Sequence, residues 1–441
     1  MRFYGREKEI GELRKEREIS HRFSRFTVVT GRRRIGKTEL IRQAFDDGTD
    51  PYVHLVITKK TEKVQCGILQ RESERKLGIA IQGRCERFAD LFEDLMKEAG
   101  VRPFTLVLDE FQEFDKVDDS IYSEVASIWD KYHNDVKINL VVCGSVNRLM
   151  NKIFFDDSQP LYGRNTGKLQ LDPFETSTLK KILADFGGNY SKDDLLALWT
   201  ISGGVPRYVE LLMERGVTTR DGMIDTVFGG ITSFIDEGKT ILSDEFGKEY
   251  GTYFTILASI ASGKTSYSQI VNEVGMDVGG YLTRLETLYG IVSKKQPFNE
   301  TTSNKSCHYQ IDDCFFRFWF RFVFGYSDMI ELKRTDALRD IVHRDFSVFA
   351  GYALERYFLW KFTEEADYRR IRGWWDRKGE NEIDMVCENA SDGRLDFYEV
   401  KIDSRRLDMS LLNRKVEAFL TKNPNCRQKI GRLGGLSCDD M

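Results

Sequence analysis

The chain has 441 residues, 41% hydrophobic and 12% aromatic, enough for about three packed domains. Its net charge of −4 argues against a nucleic-acid coat or a polybasic membrane anchor, while leaving room for local basic patches. With 36 Gly and 7 Pro it is neither collagen-like nor low-complexity, and eight scattered cysteines without a C-x-x-C pair argue against a zinc site or a disulfide framework. The charged start MRFYGREKEI has no apolar leader, and the most apolar stretch, Cys314–Tyr326, is too short to span a bilayer. The expectation is a cytoplasmic protein with no membrane segment.

Residues 1–170 alternate short apolar runs with helical patterns. The runs at Phe26–Gly31, Tyr52–Ile57, Phe104–Glu110 and Ile138–Ser145 predict strands buried on both faces, hence a parallel α/β sheet with right-handed crossovers. Residues 171–248 have helical periodicity and predict a small all-helical lid. Residues 249–311 predict three helices, the last near Val278–Leu288, then two strands around the polar loop NETTSNK: the outline of a winged helix-turn-helix. Residues 312–344 form an aromatic-rich helical connector. Residues 345–441 predict helix, two strands (EIDMVCE and LDFYEVK), helix and a last strand near Lys429–Leu433, a small α/β domain.

The segment GRRRIGKT, Gly31–Thr38, fits G-x-x-x-x-G-K-[ST], follows a strand and opens a helix. Gly31 and Gly36 let the backbone curl so that N–H groups face phosphate oxygens. Lys37 bridges the β- and γ-phosphates in this pattern, and Thr38 ligates Mg²⁺. Gly31, Arg34, Ile35, Gly36, Lys37, Thr38 and the following Glu39 are therefore candidate nucleotide contacts. Arg32, Arg33 and Arg34 could reach nucleic acid, although a solvated loop face is the favoured reading. In FTLVLDEFQEF, Asp109 and Glu110 end an apolar strand at the edge where α/β sites form. Asp109 is assigned to Mg²⁺ and Glu110 to the attacking water, the alternative being an ordinary acidic strand end. The next strand ends VVCGS, which makes Ser145 or Asn147 a candidate γ-phosphate sensor. Arg164 is either an arginine finger acting in trans or a surface arginine.

FYGREKEIGEL (Phe3–Leu13), the phosphate loop, LDEFQ, CGS, LYGR and SGGVPRYVE (Ser202–Glu210) together resemble the archaeal-type ATPases, P-loop NTPases of the AAA+/STAND group. The resemblance implies ATP and Mg²⁺ as cofactors and places Arg6 beside the nucleotide. It makes Gly204-Val205-Pro206 a G-x-P nucleotide sensor, with Arg207 next to it. A helix start with proline in its first turn explains the same residues. IDDCFFRFWFRFV and the tail resemble the C-terminal region accompanying many of these ATPases. Aromatic stripes of that kind read as core packing.

In FYEVK the period of two puts Glu399 and Lys401 on one face, and pairing of the two strands would bring Asp384 beside Glu399. Two carboxylates and a lysine can hold a divalent metal and a water. The pattern resembles the PD-(D/E)XK nuclease core. That implies metal binding by Asp384 and Glu399, water positioning by Lys401 and support from Glu355, with Ile383 where the name-giving proline would stand. Charged edge strands are the alternative. Arg369, Arg370, Arg372, Arg377 and Lys378, with Trp374 and Trp375, form a candidate nucleic-acid edge, in competition with a solvated loop. In the winged-helix segment Arg284 is the one base-capable cation of the second helix, helped by Lys294, Lys295 and Lys305. Five Lys or Arg stand against four Asp or Glu there, a weak footprint.

The whole reads as a multidomain α/β chain: a P-loop NTPase sheet, a helical lid, a winged helix and a small restriction-endonuclease-like domain. It implies an ATP hydrolase acting on DNA with a Mg²⁺-dependent nuclease-like tail. The alternative is an ATP-dependent switch or DNA-binding protein whose tail is inactive. A homo-oligomer stays open.

Overall fold

The computed structural model describes all residues except 146, 230–233, 300–306, 366 and 377–378. Lys305, Arg377 and Lys378, and the side chain of Asn147, lie outside the described residues. The chain divides into two units, Gly5–Asp172 and Pro173–Met441 with Met1–Tyr4.

In Gly5–Asp172 five parallel strands, β1 (Arg25–Thr30), β2 (Tyr52–Val56), β3 (Phe104–Asp109), β4 (Ile138–Cys143) and β5 (Gly167–Gln170), lie in the order β2-β3-β4-β1-β5. Every residue of β3 and β4 is buried, which is why both are continuous apolar runs. β5 is an edge strand of alternating half-buried and exposed residues, so a search for apolar runs passes over it. Phe26 packs edge-on against Trp129 and Phe154, with ring centroids 5.1 and 5.7 Å away. Because β4 lies between β1 and β3, the ends of the three strands carry the phosphate loop, Ser145 and the Asp109-Glu110 pair along one edge. Two of the cysteines read as scattered, Cys66 and Cys85, form a disulfide with Cα atoms 5.6 Å apart, a single local crosslink rather than a framework.

The second unit begins with five helices, Thr176–Gly187, Lys192–Ser202, Pro206–Met213, Arg220–Phe228 and Phe234–Phe246. Ser191 and Asp194 close a reciprocal cap on the second of them. Helices Tyr250–Ala261, Tyr267–Val274 and Gly279–Thr287 follow, then an antiparallel hairpin of β6 (Val292–Lys295) and β7 (His308–Ile311). This is the element order expected of a winged helix. The aromatic connector runs as a short α-helix, Cys314–Phe318, that widens into a π turn at Trp319–Val323, and its Phe and Trp side chains are buried, as expected of packing. An added Cβ at Gly238 would run into the Trp319 ring, so glycine is required there.

One helix of 31 residues, Thr335–Glu365, runs straight through the expected boundary at residue 345. Near its start His343 bonds Asp225 at 3.2 Å; near its middle the Ala353 carbonyl accepts the Trp199 indole N–H at 2.9 Å. Near its end Glu364 accepts from the Thr176 hydroxyl at 2.6 Å. The last sheet contains β8 (Tyr368–Trp375), β9 (Glu382–Asn389), β10 (Leu395–Lys401) and β11 (Ile430–Ser437) in the order β11-β10-β9-β8. β10 and β11 are parallel, joined through the helix Met409–Lys422; the other pairs are antiparallel. β8 is a strand where the arginine-rich sequence reads as a loop. One buried cluster takes residues from Phe174 through to Met441, across the expected divisions at 248, 311 and 344, and a second gathers Phe298, Trp374, Phe397 and Phe419.

Candidate functional site

The phosphate loop is shaped by three left-handed backbones in a row of six residues: Gly31 (φ 151°), Arg34 (70°) and Gly36 (89°). A Cβ at Gly31 would stand 2.9 Å from the Leu171 carbonyl, so this turn tolerates only glycine. Gly36 ends the loop and the helix Lys37–Phe45 begins at once, which leaves the N–H groups of Lys37, Thr38 and Glu39 without helical partners. Ile35 is buried beneath the loop, Arg32 and Arg33 are half-buried and Arg34 is exposed. The Lys37 ammonium donates to the carbonyls of Gly31 (2.8 Å) and Arg32 (3.1 Å). Burial pulls its pKa down, against the pull of Cys143, Glu110 and Asp109. Glu39 is held by Arg42 and Gln43.

Asp109 accepts from the Thr38 hydroxyl at 2.9 Å, from Cys143 Sγ at 2.9 Å, and stands 3.1 Å from His54 Nε2. Burial pushes its carboxyl up, but the bonds from His54, Cys143 and Thr38 outweigh it and leave the pKa at about 2. Burial and the neighbouring carboxylate push the Cys143 thiol well up, so it remains a donor. Glu110 sits in the left-handed region (φ 54°) and accepts from Ser145 Oγ at 2.9 Å and from Gln112 Nε2 at 2.5 Å. Three of the five described non-glycine residues with positive φ are Arg6, Arg34 and Glu110, all at or near this loop. Arg6 donates to Glu9 (2.9 Å) and to the Asp172 carbonyl (2.5 Å). Arg164 forms a two-pronged pair with Asp130 (2.6 and 3.0 Å) in its own unit. His54, Cys143 and Gln112 were not picked out from the sequence; the first two come from strands flanking β3, an adjacency that only the sheet order reveals.

In the second unit Pro206 opens the helix Pro206–Met213, Arg207 pairs with Glu210 at 2.8 Å, and the Gly204 carbonyl (φ 72° at Gly204) accepts from Phe174 N at 2.8 Å.

The C-terminal sheet brings Asp384, Glu399 and Lys401 together. Lys401 Nζ lies 2.8 Å from Glu399 and 3.5 Å from Asp384. Asp384 also accepts from the Val400 N–H at 2.7 Å, tying β9 to β10. Lys415, from the helix Met409–Lys422, reaches both Glu399 oxygens at 2.8 Å and was not picked out from the sequence; a lysine one residue before the buried Val416 is its only signal. Burial, then the Glu399 charge, pushes Asp384 up to about 6. Glu355 is half-buried in the long helix, and desolvation and the Asp384 charge push it far above the usual carboxylate range.

The hard oxygen donors at each site suit Mg²⁺: Thr38 and Asp109 at one, Asp384 and Glu399 at the other. Among the described residues no cluster of three or more His, Cys, Asp or Glu side chains is arranged to hold a metal ion alone. A cation held at either place would need water or phosphate oxygens besides these side chains.

Of the edge expected at residues 369–378, the two tryptophans are buried and Arg369 and Arg372 are exposed. Strand alternation on β8 sends Trp374 (1% exposed) into the core against Phe419, and sends Trp375 to the other face against His308. Arg369 and Arg370 both pair with Glu388. Arg284 lies over the Tyr281 ring at 4.8 Å and beside Glu249 at 3.6 Å, and Lys295 pairs with Asp312 at 3.0 Å.

Residues 3–212 match a family described as ATPase domains predominantly from Archaea, and residues 319–415 match archaeal and bacterial proteins of unknown function. An uncharacterised protein of Methanocaldococcus jannaschii is 27% identical over 410 residues, 90% of this chain and 87% of that protein. The Walker-type ATPase of Pyrococcus abyssi superposes with a TM-score of 0.53 at 18% identity, over 72% of this chain and 96% of that one. The Aeropyrum pernix ORC2 protein, solved in ADPNP–ADP complexes, gives 0.50 at 15% identity, over 75% and 94%. At these identities the structural likenesses speak to fold: that of a P-loop NTPase. No helix among the described residues is long and apolar enough to cross a membrane.

Proposed function

Residues 3–212 belong to the ATPase-domain family found predominantly in Archaea, and from that premise we propose that the chain hydrolyses ATP and acts on DNA through a metal-dependent phosphodiesterase site in its C-terminal sheet. One observation supports the hydrolysis most directly: Thr38–Asp109 and Glu110–Ser145 are both hydrogen-bonded at 2.9 Å, on either side of the Asp109-Glu110 peptide. Lys37 would exchange its two carbonyl partners for phosphate oxygens. Thr38 and Asp109 would hold Mg²⁺, which neutralises phosphate charge. Glu110 takes the proton of the attacking water as that water's oxygen bonds to the γ-phosphorus and the bond to ADP breaks. Ser145 and Gln112 hold Glu110 in place for this. Arg6, Pro206 and Arg207 remain nucleotide contacts by proposal.

The DNA-directed part rests on the gathering of Asp384, Glu399 and Lys401. Asp384 and Glu399 would hold the cation, which stabilises charge on the scissile phosphate. Lys401 orients the attacking water, and Glu355 buttresses Asp384. A second reading, an ATP-dependent switch with an inactive tail, is favoured by Lys415: its grip on both Glu399 oxygens must loosen before a cation enters. The test is incubation of the full chain with plasmid and single-stranded DNA, with Mg²⁺ or Mn²⁺, with and without ATP. Cleavage lost in Lys401→Ala, with ATP turnover lost only in Lys37→Ala, supports the first reading. Intact ATP turnover with no cleavage under any condition leaves the switch.

A further inference from the structure

A carboxylate offers about four acceptor positions, two on each oxygen. At Asp109 the protein itself supplies a donor to each. Oδ1 accepts from Cys143 Sγ and from the Glu110 N–H, both at 2.9 Å. Oδ2 accepts from the Thr38 hydroxyl at 2.9 Å and from His54 Nε2 at 3.1 Å. Since a carboxylate only accepts, Nε2 is the ring nitrogen that carries the hydrogen.

The four donors differ in what holds them. Thr38 lies in the helix that opens behind the phosphate loop, and the Glu110 N–H is the next peptide along the chain. Cys143 is fully buried at the end of β4. His54 comes from the edge strand of the sheet, and its side chain is 19% exposed.

Strand geometry brings His54 there. β2 and β3 are parallel, and Val56 lies opposite Asp109. His54 is two residues earlier and on the same face as Val56, so its ring reaches the carboxylate on the diagonal. Two further bonds keep β2 in this register. The Ile57 N–H donates to the Asp109 carbonyl at 2.9 Å. Gln65, buried in the helix Glu62–Leu77, donates to the Val56 carbonyl at 3.1 Å, while its own oxygen accepts from the Thr58 hydroxyl at 2.6 Å.

We propose that His54 is a positioning residue of the ATP site: its Nε2–H holds the Asp109 carboxylate against Thr38, so that the two groups assigned to Mg²⁺ are set before the cation arrives. The inference rests on the ATP-hydrolysis reading above. With His54 in place, the carboxylate cannot turn away from Thr38 without breaking a second bond. Without it, one acceptor position opens on Oδ2, and the carboxylate has to be ordered as the cation binds. Hydrogen-bond partners standing behind a metal ligand are typically worth about 10–100-fold in metal affinity or activity.

The experiment measures the affinity of the full chain for a fluorescent, non-hydrolysable ATP analogue, in EDTA and across a Mg²⁺ titration. The parent chain is compared with His54→Ala and with His54→Gln, whose amide nitrogen can stand where Nε2 does. In EDTA all three are expected to bind alike. In Mg²⁺ the parent gains affinity, His54→Ala loses about tenfold of that gain, and His54→Gln stays within about threefold of the parent. Melting curves check folding. His54→Phe keeps a ring beside Tyr52, 6.1 Å away between centroids, without the donor, and is expected to behave as alanine does. A Mg²⁺ gain unchanged in both His54→Ala and His54→Phe overturns the proposal and leaves the ATP reading standing. A gain lost equally in folded His54→Gln also overturns it, because a donor at that place then restores nothing. A parent chain that binds no ATP analogue overturns both.

Discussion

Replacing Asp384 by asparagine is expected to stabilise the protein at neutral pH. The carboxyl is buried, faces the Glu399 charge and is pushed from its ordinary 3.8 up to about 6. A tenfold change in proton affinity is worth about 1.4 kcal/mol, so the ionised group costs the folded state about 3 kcal/mol above pH 6. The sign follows from the direction of the shift. Below pH 3.8 the carboxyl is protonated in both states and contributes nothing. Between there and pH 6 the unfolded chain loses its proton first, and stability falls; above pH 6 the whole penalty is present. Asparagine keeps an oxygen to accept the Val400 N–H and carries no charge. Melting temperatures of Asp384→Asn and the parent chain should therefore differ by roughly 3–5 °C at pH 7.5, with the variant higher, and converge near pH 4. Mg²⁺ should narrow the gap at pH 7.5 by stabilising only the parent. A variant that melts lower than the parent at pH 7.5, or a gap that does not shrink on acidification, refutes the reasoning.

Glu110→Gln should keep nucleotide affinity, measured with a fluorescent ATP analogue, while steady-state phosphate release falls about 10²–10³-fold. Lys415→Met leaves the buried Glu399 carboxylate with Lys401 alone, and should cost about 3 kcal/mol in denaturant unfolding at pH 7. Trp374→Ala should cost about 3–5 kcal/mol in the same measurement, because its ring is core. If Trp374→Ala instead weakened DNA binding at unchanged stability, its assignment to the core would be wrong.

What could be read from residue order alone depended on how locally each feature is encoded. β3 and β4 are buried on both faces, so their composition announces them. The phosphate loop is a contiguous motif whose glycines carry its backbone shape. Glu399 and Lys401 share a face because a strand alternates, and that follows from spacing. The hydrogen-bonding shell escaped the reading, because it is assembled across strands. His54 reaches Asp109 from β2 and Cys143 reaches it from β4, and Lys415 arrives from a helix after the strand it serves. β8 escaped because two of its arginines, Arg369 and Arg370, answer a glutamate on the neighbouring strand, Glu388, a pairing that residue order does not show, and Trp374 and Trp375 are buried on its two faces.

The long helix Thr335–Glu365 spans about 46 Å. It is pinned near its start by His343 on Asp225, near its middle by Trp199 and near its end by Thr176, so its two halves cannot be exchanged separately. A recombination breakpoint at residue 345 would cut it after ten residues and strip Leu338 and Val342, both fully buried, from the remainder. Gene rearrangements that give this chain a new tail, or lend its tail to another chain, should therefore fall outside the rod. A chimera joined within 335–365 should aggregate, where one joined before residue 335 keeps the rod and the sheet it carries intact.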